Sequence, residues 1–331
     1  MSNQTILAGA NVLVTGGSGF VGSHLVDQLV EAGAAQVVVI DNMVRGRPEN
    51  LAAAMQTGRV RLVSGDIRDR ALMQSLVAES EVVFHQAALR ITHCAAEPDE
   101  AMEVMVQATY DLLQDCVRYK VGKLVMASSA SIYGLAPHFP TPESDPPYAN
   151  RTLYGAAKTM GEGLLRSFND MYGLNYVALR YFNVYGPRMD LHGRYTEVLV
   201  RWMERVAQGQ PPLVFGDGLQ TLDMIHVRDV ARANILAAES TATDRVYNVG
   251  SQTETSLLQL ARLVASQMGR PDLVPVHMPE RAVNPVPRRL ADCQAAADDL
   301  GFRARIGLAE GLAELIDWWR AQGALDLAVA E

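Results

Sequence analysis

Cysteine is scarce in this chain: Cys94, Cys116 and Cys293 are the only three thiols in 331 residues. They are too few and too scattered for a disulfide framework and lack the spacing of a metal site, so the expected setting is reducing and cytoplasmic, with no metal. Long apolar runs are missing as well. Although 49% of the residues are apolar, no run reaches the roughly 18 residues a membrane span needs. The opening MSNQTILAGANVLVTGG does not have the basic-then-apolar layout of a secretion signal. No membrane partner is expected. Positive charge is in deficit, with 29 Lys and Arg against 37 Asp and Glu for a net −8. That argues against nucleic acid as the main partner, while still allowing an anion to be held by local amides and arginines.

What is present is alternation. Short β-branched runs at 11–15, 36–41, 60–66, 81–85, 123–129 and 175–182 are separated by longer helical patterns. Strands apolar on both faces, joined through helices, imply right-handed crossovers and a doubly wound parallel sheet. Residues 1–182 therefore read as one α/β domain. The pattern loosens from 183 to 331, where Pro and Gly clusters (GQPPLVFGDG, MPERAVNPVPRR) alternate with amphipathic stretches, which suggests a smaller α/β domain packed directly on the first. Two helices near 99–119 and 152–170 carry apolar residues on more than one side and are expected to form a four-helix interface in a homodimer. His24, His85 and His226 sit in apolar patterns and are expected to be packed.

The first strand runs into GGSGFVGSHLVDQLV, which places Gly16, Gly19 and Gly22 where strand turns into helix. Glycines there permit the tight turn, admit a pyrophosphate close to the backbone and let helix lie on strand, while free amides at the helix start favour the phosphate charge. Asp41 ends the second strand, 19 residues after Gly22. A carboxylate at that place accepts from a ribose hydroxyl pair and repels a 2′-phosphate, so the expected cofactor is NAD rather than NADP. Further on, ASSASIYG ends the fifth strand with Ser129, and TLYGAAK sets Tyr154 and Lys158 four apart, hence on one face of a helix. Tyrosine titrates near pH 10, so serving as a base at neutral pH requires cations beside it.

Taken in order, the glycine loop, Asp41, GDI at 65–67, HQAALR at 85–90, Ser129, the Tyr154/Lys158 pair and RYFNVYGPR at 180–188 resemble the extended short-chain dehydrogenase/reductase family. Within it they look most like the NAD-dependent nucleotide-sugar 4-epimerases. The resemblance implies a Rossmann-type NAD-binding domain over 1–182 that also receives a segment near 217–250, and a domain over 183–331 that binds the nucleotide-diphosphate sugar, UDP-sugars being the expected kind. It implies Ser129, Tyr154 and Lys158 as catalytic residues. Phe20, Val21, Asn42, Asp66, Ile67, Ala87, Ala88 and Arg90 would join the glycines and Asp41 at the cofactor, with Phe182 beside the nicotinamide. Asn183, Arg188, Val214, Phe215 and Arg281 would hold the nucleoside diphosphate, and core packing is a rival account of Val214 and Phe215.

The same resemblance bears on the reaction. Related 4,6-dehydratases carry an Asp-Glu pair directly after the catalytic hydroxyl, and related uronate decarboxylases carry a Glu two residues before Tyr-Gly; here those places hold Ala130 and Ser131. With no further acid or base, a C4 ketone is expected to be reduced again, which is epimerisation. Three departures stand out. Leu222 replaces a phosphate-binding arginine, Met105 an asparagine near the cofactor, and the residue that gates sugar size falls at Arg288 or Arg289. A guanidinium facing the sugar would suit a C6 carboxylate, so a uronate 4-epimerase or decarboxylase is the alternative. A catalytically dead NAD(H)-binding regulator is a third reading, against which stand the retained Ser129, Tyr154 and Lys158.

Overall fold

Valine-rich segments place the strands. In a computed structural model describing residues 6–191, 197–279 and 286–329, β1 (Asn11–Thr15), β2 (Gln36–Asp41), β3 (Val60–Ser64), β4 (Val82–His85), β5 (Lys123–Ser129) and β6 (Tyr176–Tyr181) fall on the six apolar runs. All seven residues of β5 are buried, as expected for a strand covered on both faces. Three short strands follow: β7 (Asn183–Tyr185), β8 (Leu213–Phe215) and β9 (Thr221–His226). β10 (Arg245–Val249), β11 (Glu254–Ser256) and β12 (Val276–Met278) complete the set.

The main sheet is parallel, in the order β10-β6-β5-β4-β1-β2-β3. The Rossmann-type doubly wound architecture is thus as expected, and β10 extends the sheet beyond β6 by pairing Arg245 to Val249 with Val177 to Tyr181. Helices Phe20–Glu31 and Val227–Glu239 pack on one face around Leu25, Leu29, Val230 and Ala233, whereas Arg70–Ala78, Ala108–Arg118 and Leu153–Tyr172 cover the other around Leu76, Leu112 and Leu165. The winding reverses between the neighbouring strands β1 and β4, and ligands bind at such a reversal, beyond the carboxyl ends of the strands.

A second layer stands over those ends. It comprises the small sheets β11-β9-β7 and β12-β8 with helices Val198–Ala207, Leu257–Gln267 and Leu308–Val329. Its core is built from Trp202, Val214, Leu260, Leu315 and Ile316. Among the described residues no helix is long and apolar enough to cross a membrane.

Candidate active site

The glycine loop is as tight as its sequence suggests. Gly16 has φ +67°, and a Cβ there would fall 2.8 Å from the backbone of Ala87. At Gly22 a Cβ would meet the Gly16 carbonyl oxygen at 2.2 Å. Only glycine lets the β1 turn, the first helix and β4 approach this closely. The loop opens onto a crevice of about 830 Å³ also lined by Gly19, Phe20, Val21, Asp41 and Asn42. Asp66, Ile67, Ala87, Ala88 and Arg90 continue the wall. The structure therefore brings together along one surface every residue that the resemblance placed at the cofactor before β5.

Asp41 is buried, and its carboxylate accepts from the amides of Ser18 (3.1 Å) and Met43 (3.0 Å). Burial pushes its pKa up, while those two amides and Arg45 pull it down. Each oxygen accepts one amide and keeps a lone pair for a further donor. Asp66 is held well below the usual carboxylate range, at about 2, by its hydrogen bonds from Arg68. The loop, Asp41 and the helix N-terminus fit a dinucleotide pyrophosphate and ribose.

Tyr154 and Lys158 enter the crevice from the opposite wall. Thr152 caps their helix by accepting from the Gly155 amide at 3.0 Å, and Gly173 ends it at φ +70°. The Tyr154 ring packs against Cys94, Met105 and Ala157. Ser129, the last residue of β5, has its side chain near enough to the phenol to lower the Tyr154 pKa. Lys158 Nζ donates to the Ala127 carbonyl at 2.6 Å and lies 5.9 Å from the Tyr154 ring centroid. Tyr154 and Lys158 thus line the crevice, with Ser129 next to the phenol.

The sequence reading asks for cations beside Tyr154. Burial raises the Tyr154 pKa, and the groups that lower it are the Ser129 side chain followed by the charges of Arg289 and Arg45. Burial lowers Lys158 to about 8. Arg45, in the loop after Asp41, is a residue that sequence reasoning missed; its place in a glycine- and arginine-rich turn next to the cofactor carboxylate was the available signal.

Phe182, Asn183 and Arg188 line the far end of the crevice. Asn183 Oδ1 is buried without a hydrogen-bond partner among the described residues, as suits an acceptor for a ligand. Arg188 has φ +65° and is ion-paired to Asp27 at 2.8 Å, so part of its charge is already used. Val214 is 1% exposed and belongs to the core of the second layer, which corrects its assignment to the diphosphate in favour of packing. Phe215 is half-buried in β8, beside Met278 of β12. Leu222 lines the crevice and packs against the same core. Arg281 lies outside the described residues.

The two arginines at the gate separate. Arg288 is exposed and forks onto Glu254 at 2.6 and 2.8 Å, with its guanidinium 4.7 Å from the Phe139 ring centroid. That engagement removes it from the proposed sugar contacts. Arg289 is half-buried and points inward, near enough to Tyr154 for their charges to act on each other. Residues 287–289 run extended beside β9, with Thr221 N bonded to the Pro287 carbonyl and Arg289 N to the Thr221 carbonyl. Neighbouring side chains on such a segment face opposite ways.

His24, His85 and His226 are packed, and burial favours their neutral form. His85 bridges Thr15 (2.8 Å) and Thr109 (3.1 Å), and His24 Nε2 donates to the Pro187 carbonyl at 3.0 Å. Burial lowers both to about 3 and His226 to about 4.

Residues 12–250 match the model of the NAD dependent epimerase/dehydratase family. The chain belongs to that family. A UDP-glucose 4-epimerase of Mycolicibacterium smegmatis is 35% identical over 312 residues, covering 93% of this chain and 98% of the relative. A UDP-N-acetyl-alpha-D-glucosaminuronate decarboxylase of Bacillus cytotoxicus is 31% identical, covering 93% and 97%. A crystal structure of UDP-glucose 4-epimerase with UDP-glucose from Thermotoga maritima superposes with a TM-score of 0.87 at 35% identity, covering 94% of this chain and 99% of that one. The chain is accordingly an NAD-dependent enzyme of a family acting on nucleotide sugars, whose members include epimerases, dehydratases and decarboxylases.

Proposed function

We propose that this enzyme epimerises C4 of a UDP-sugar of the glucose/galactose kind through a transient 4-keto sugar. The observation that carries the reading is the grouping of Ser129 with Tyr154 and Lys158, the latter two lining the crevice, with Ala130 and Ser131 following Ser129 in place of a second acid or base. NAD, when bound along the glycine loop and Asp41, supplies a site that takes a hydride and gives it back. Tyr154 accepts the proton of the sugar 4-hydroxyl and Ser129 hydrogen-bonds the same oxygen. Arg289 and Arg45 favour the phenolate that this role requires. Asn183 and Arg188 meet the nucleoside diphosphate. Incubation with a panel of UDP-, dTDP-, GDP- and CDP-sugars, followed by NMR of the products, tests the reading: C4 epimers are expected, whereas a 4-keto-6-deoxy sugar or a pentose product would replace it.

Arg289 supports a second reading, a uronate substrate, because an inward guanidinium beside the reacting hydroxyl matches a C6 carboxylate. Equal rates on UDP-glucose and UDP-glucuronate would dismiss it. We also infer a homodimer through helices 98–118 and 153–172, on which Met102, Tyr110, Met160, Met171 and Tyr172 are exposed. Sedimentation of the wild type as a monomer at micromolar concentration would refute that arrangement.

A further inference from the structure

Glu162 and Arg180 form a buried ion pair directly behind the catalytic side chains. Glu162 follows Lys158 by one turn of the helix Leu153–Tyr172, and Arg180 stands on β6 in register with Ser128 of β5. Arg180 forks onto the carboxylate, Nε to Oε1 at 2.9 Å and Nη2 to Oε2 at 2.7 Å, while Ser128 Oγ donates to Oε1 at 2.5 Å. The two side chains are only 9% and 8% exposed. Desolvation of buried charges largely offsets their attraction, so stability alone is a weak reason for this pair. Its location supplies a better one. Ser128 precedes Ser129, the Ala127 carbonyl before it accepts from Lys158 Nζ, and Glu162 shares a helix face with Lys158 at i, i+4.

We propose that Glu162, fixed by Arg180 and Ser128, is a positioning residue that keeps Lys158 Nζ protonated and directed at the Ala127 carbonyl and the crevice. The proposal rests on reading Tyr154 and Lys158 as the pair that activates the hydroxyl. The groups facing Lys158 are Tyr154 on its own helix, Cys94 on Ile91–Ala96, His85 on β4 and the Ala127 carbonyl on β5, with Arg180 of β6 beyond Glu162. Burial keeps His85 neutral and pushes the Cys94 thiol up. Glu162, forked by the Arg180 guanidinium and bonded by Ser128, is the carboxyl group one helical turn from Lys158 on the same face. Burial lowers Lys158 to about 8, opposed first by Cys94 and then by Glu162.

Glu162→Gln keeps shape and acceptor oxygen but removes the charge. Competitive labelling of the NAD-loaded protein with acetic anhydride, read by mass spectrometry, reports the Lys158 titration without any substrate. The midpoint is expected to fall by about one pH unit, a tenfold loss of ammonium at fixed pH above it. The upper pKa of kcat/KM should move equally, while NAD content and KM stay within about twofold. Since Glu162→Gln leaves Arg180 buried alone, the double change Glu162→Gln/Arg180→Met removes both charges, and its midpoint should still lie below wild type. Glu162→Asp retains the anion and should keep the wild-type midpoint with reduced kcat. A folded double variant in which Lys158 titrates as in wild type overturns the proposal, as does Glu162→Asp behaving like Glu162→Gln. Failure of the functional reading is separate: wild type would then turn over no nucleotide sugar, with the Lys158 titration still readable.

Discussion

Replacing Gly16 by alanine tests the cofactor site at its narrowest point. Two costs arise at that residue. Its φ of +67° places an alanine in the left-handed region, at about 1–2 kcal/mol. The new Cβ would also sit 2.8 Å from both N and Cα of Ala87, just past the end of β4, and a clash with backbone adds about 1–3 kcal/mol by overpacking. The sum is about 2–5 kcal/mol. Gly9→Ala is the control: φ is +79° with nothing within 4 Å of the added atom, so only the first cost applies. Thermal unfolding with and without added NAD, together with the NAD released from denatured protein, separates the two. Gly16→Ala should melt several degrees below Gly9→Ala, at roughly 2–4 °C per kcal/mol for chains somewhat smaller than this one, and should lose most of its bound NAD. A Gly16→Ala protein that matches Gly9→Ala in melting and wild type in NAD content would show that the β1–β4 contact does not shape the pyrophosphate site.

Three further outcomes follow from the geometry. Tyr154→Phe should lower turnover by at least about a hundredfold with NAD still bound; a loss within about tenfold would end its assignment as base. Arg289→Met should lower kcat/KM on UDP-glucuronate relative to UDP-glucose by roughly tenfold or more if the guanidinium meets a carboxylate, and an unchanged ratio would refute that contact. His24, His85 and His226, with folded pKa values of about 3, 3 and 4, bind protons in the unfolded state before the folded one. Each therefore contributes stability that is complete above about pH 6.5 and is lost as pH falls toward its folded value, at about 1.4 kcal/mol per pH unit. Denaturant midpoints measured from pH 7 to 4 should fall steeply, and His85→Asn should flatten the slope by about one proton; an unchanged slope would contradict the buried neutral state.

The strands of the main sheet were legible because a strand buried on both faces needs an unbroken apolar run, and β1, β2 and β5 begin and end at the residues expected. Motif spacing likewise marked the cofactor wall, since loop, carboxylate and helix must follow one another along the chain. What could not be read depends on contacts between distant segments. Arg288 and Arg289 are chemically equivalent in sequence, and only the bonding of their segment to Thr221 decides which turns inward. The π turn Glu103–Gln107 inside the helical run 98–118 was also invisible. It occurs where the Met105 sulfur accepts the Leu89 amide at 3.2 Å, a contact from the loop after β4. The rise in the Tyr154 pKa reflects burial by Cys94, Met105 and Ala157, a property of packing that a short motif does not carry.

The position of β10 constrains how this chain is made. Tyr176 to Tyr181 of β6 emerge from the ribosome more than sixty residues before their β10 partners at 245–249, so a nascent chain holds an apolar parallel edge open through the whole synthesis of the intervening layer. At about 5–20 residues per second that interval lasts several seconds, long enough for edge-to-edge association. Yield in the cell should therefore respond to chaperone supply, and cutting the gene near residue 183 would free an unfinished sheet in place of a separable nucleotide-binding half.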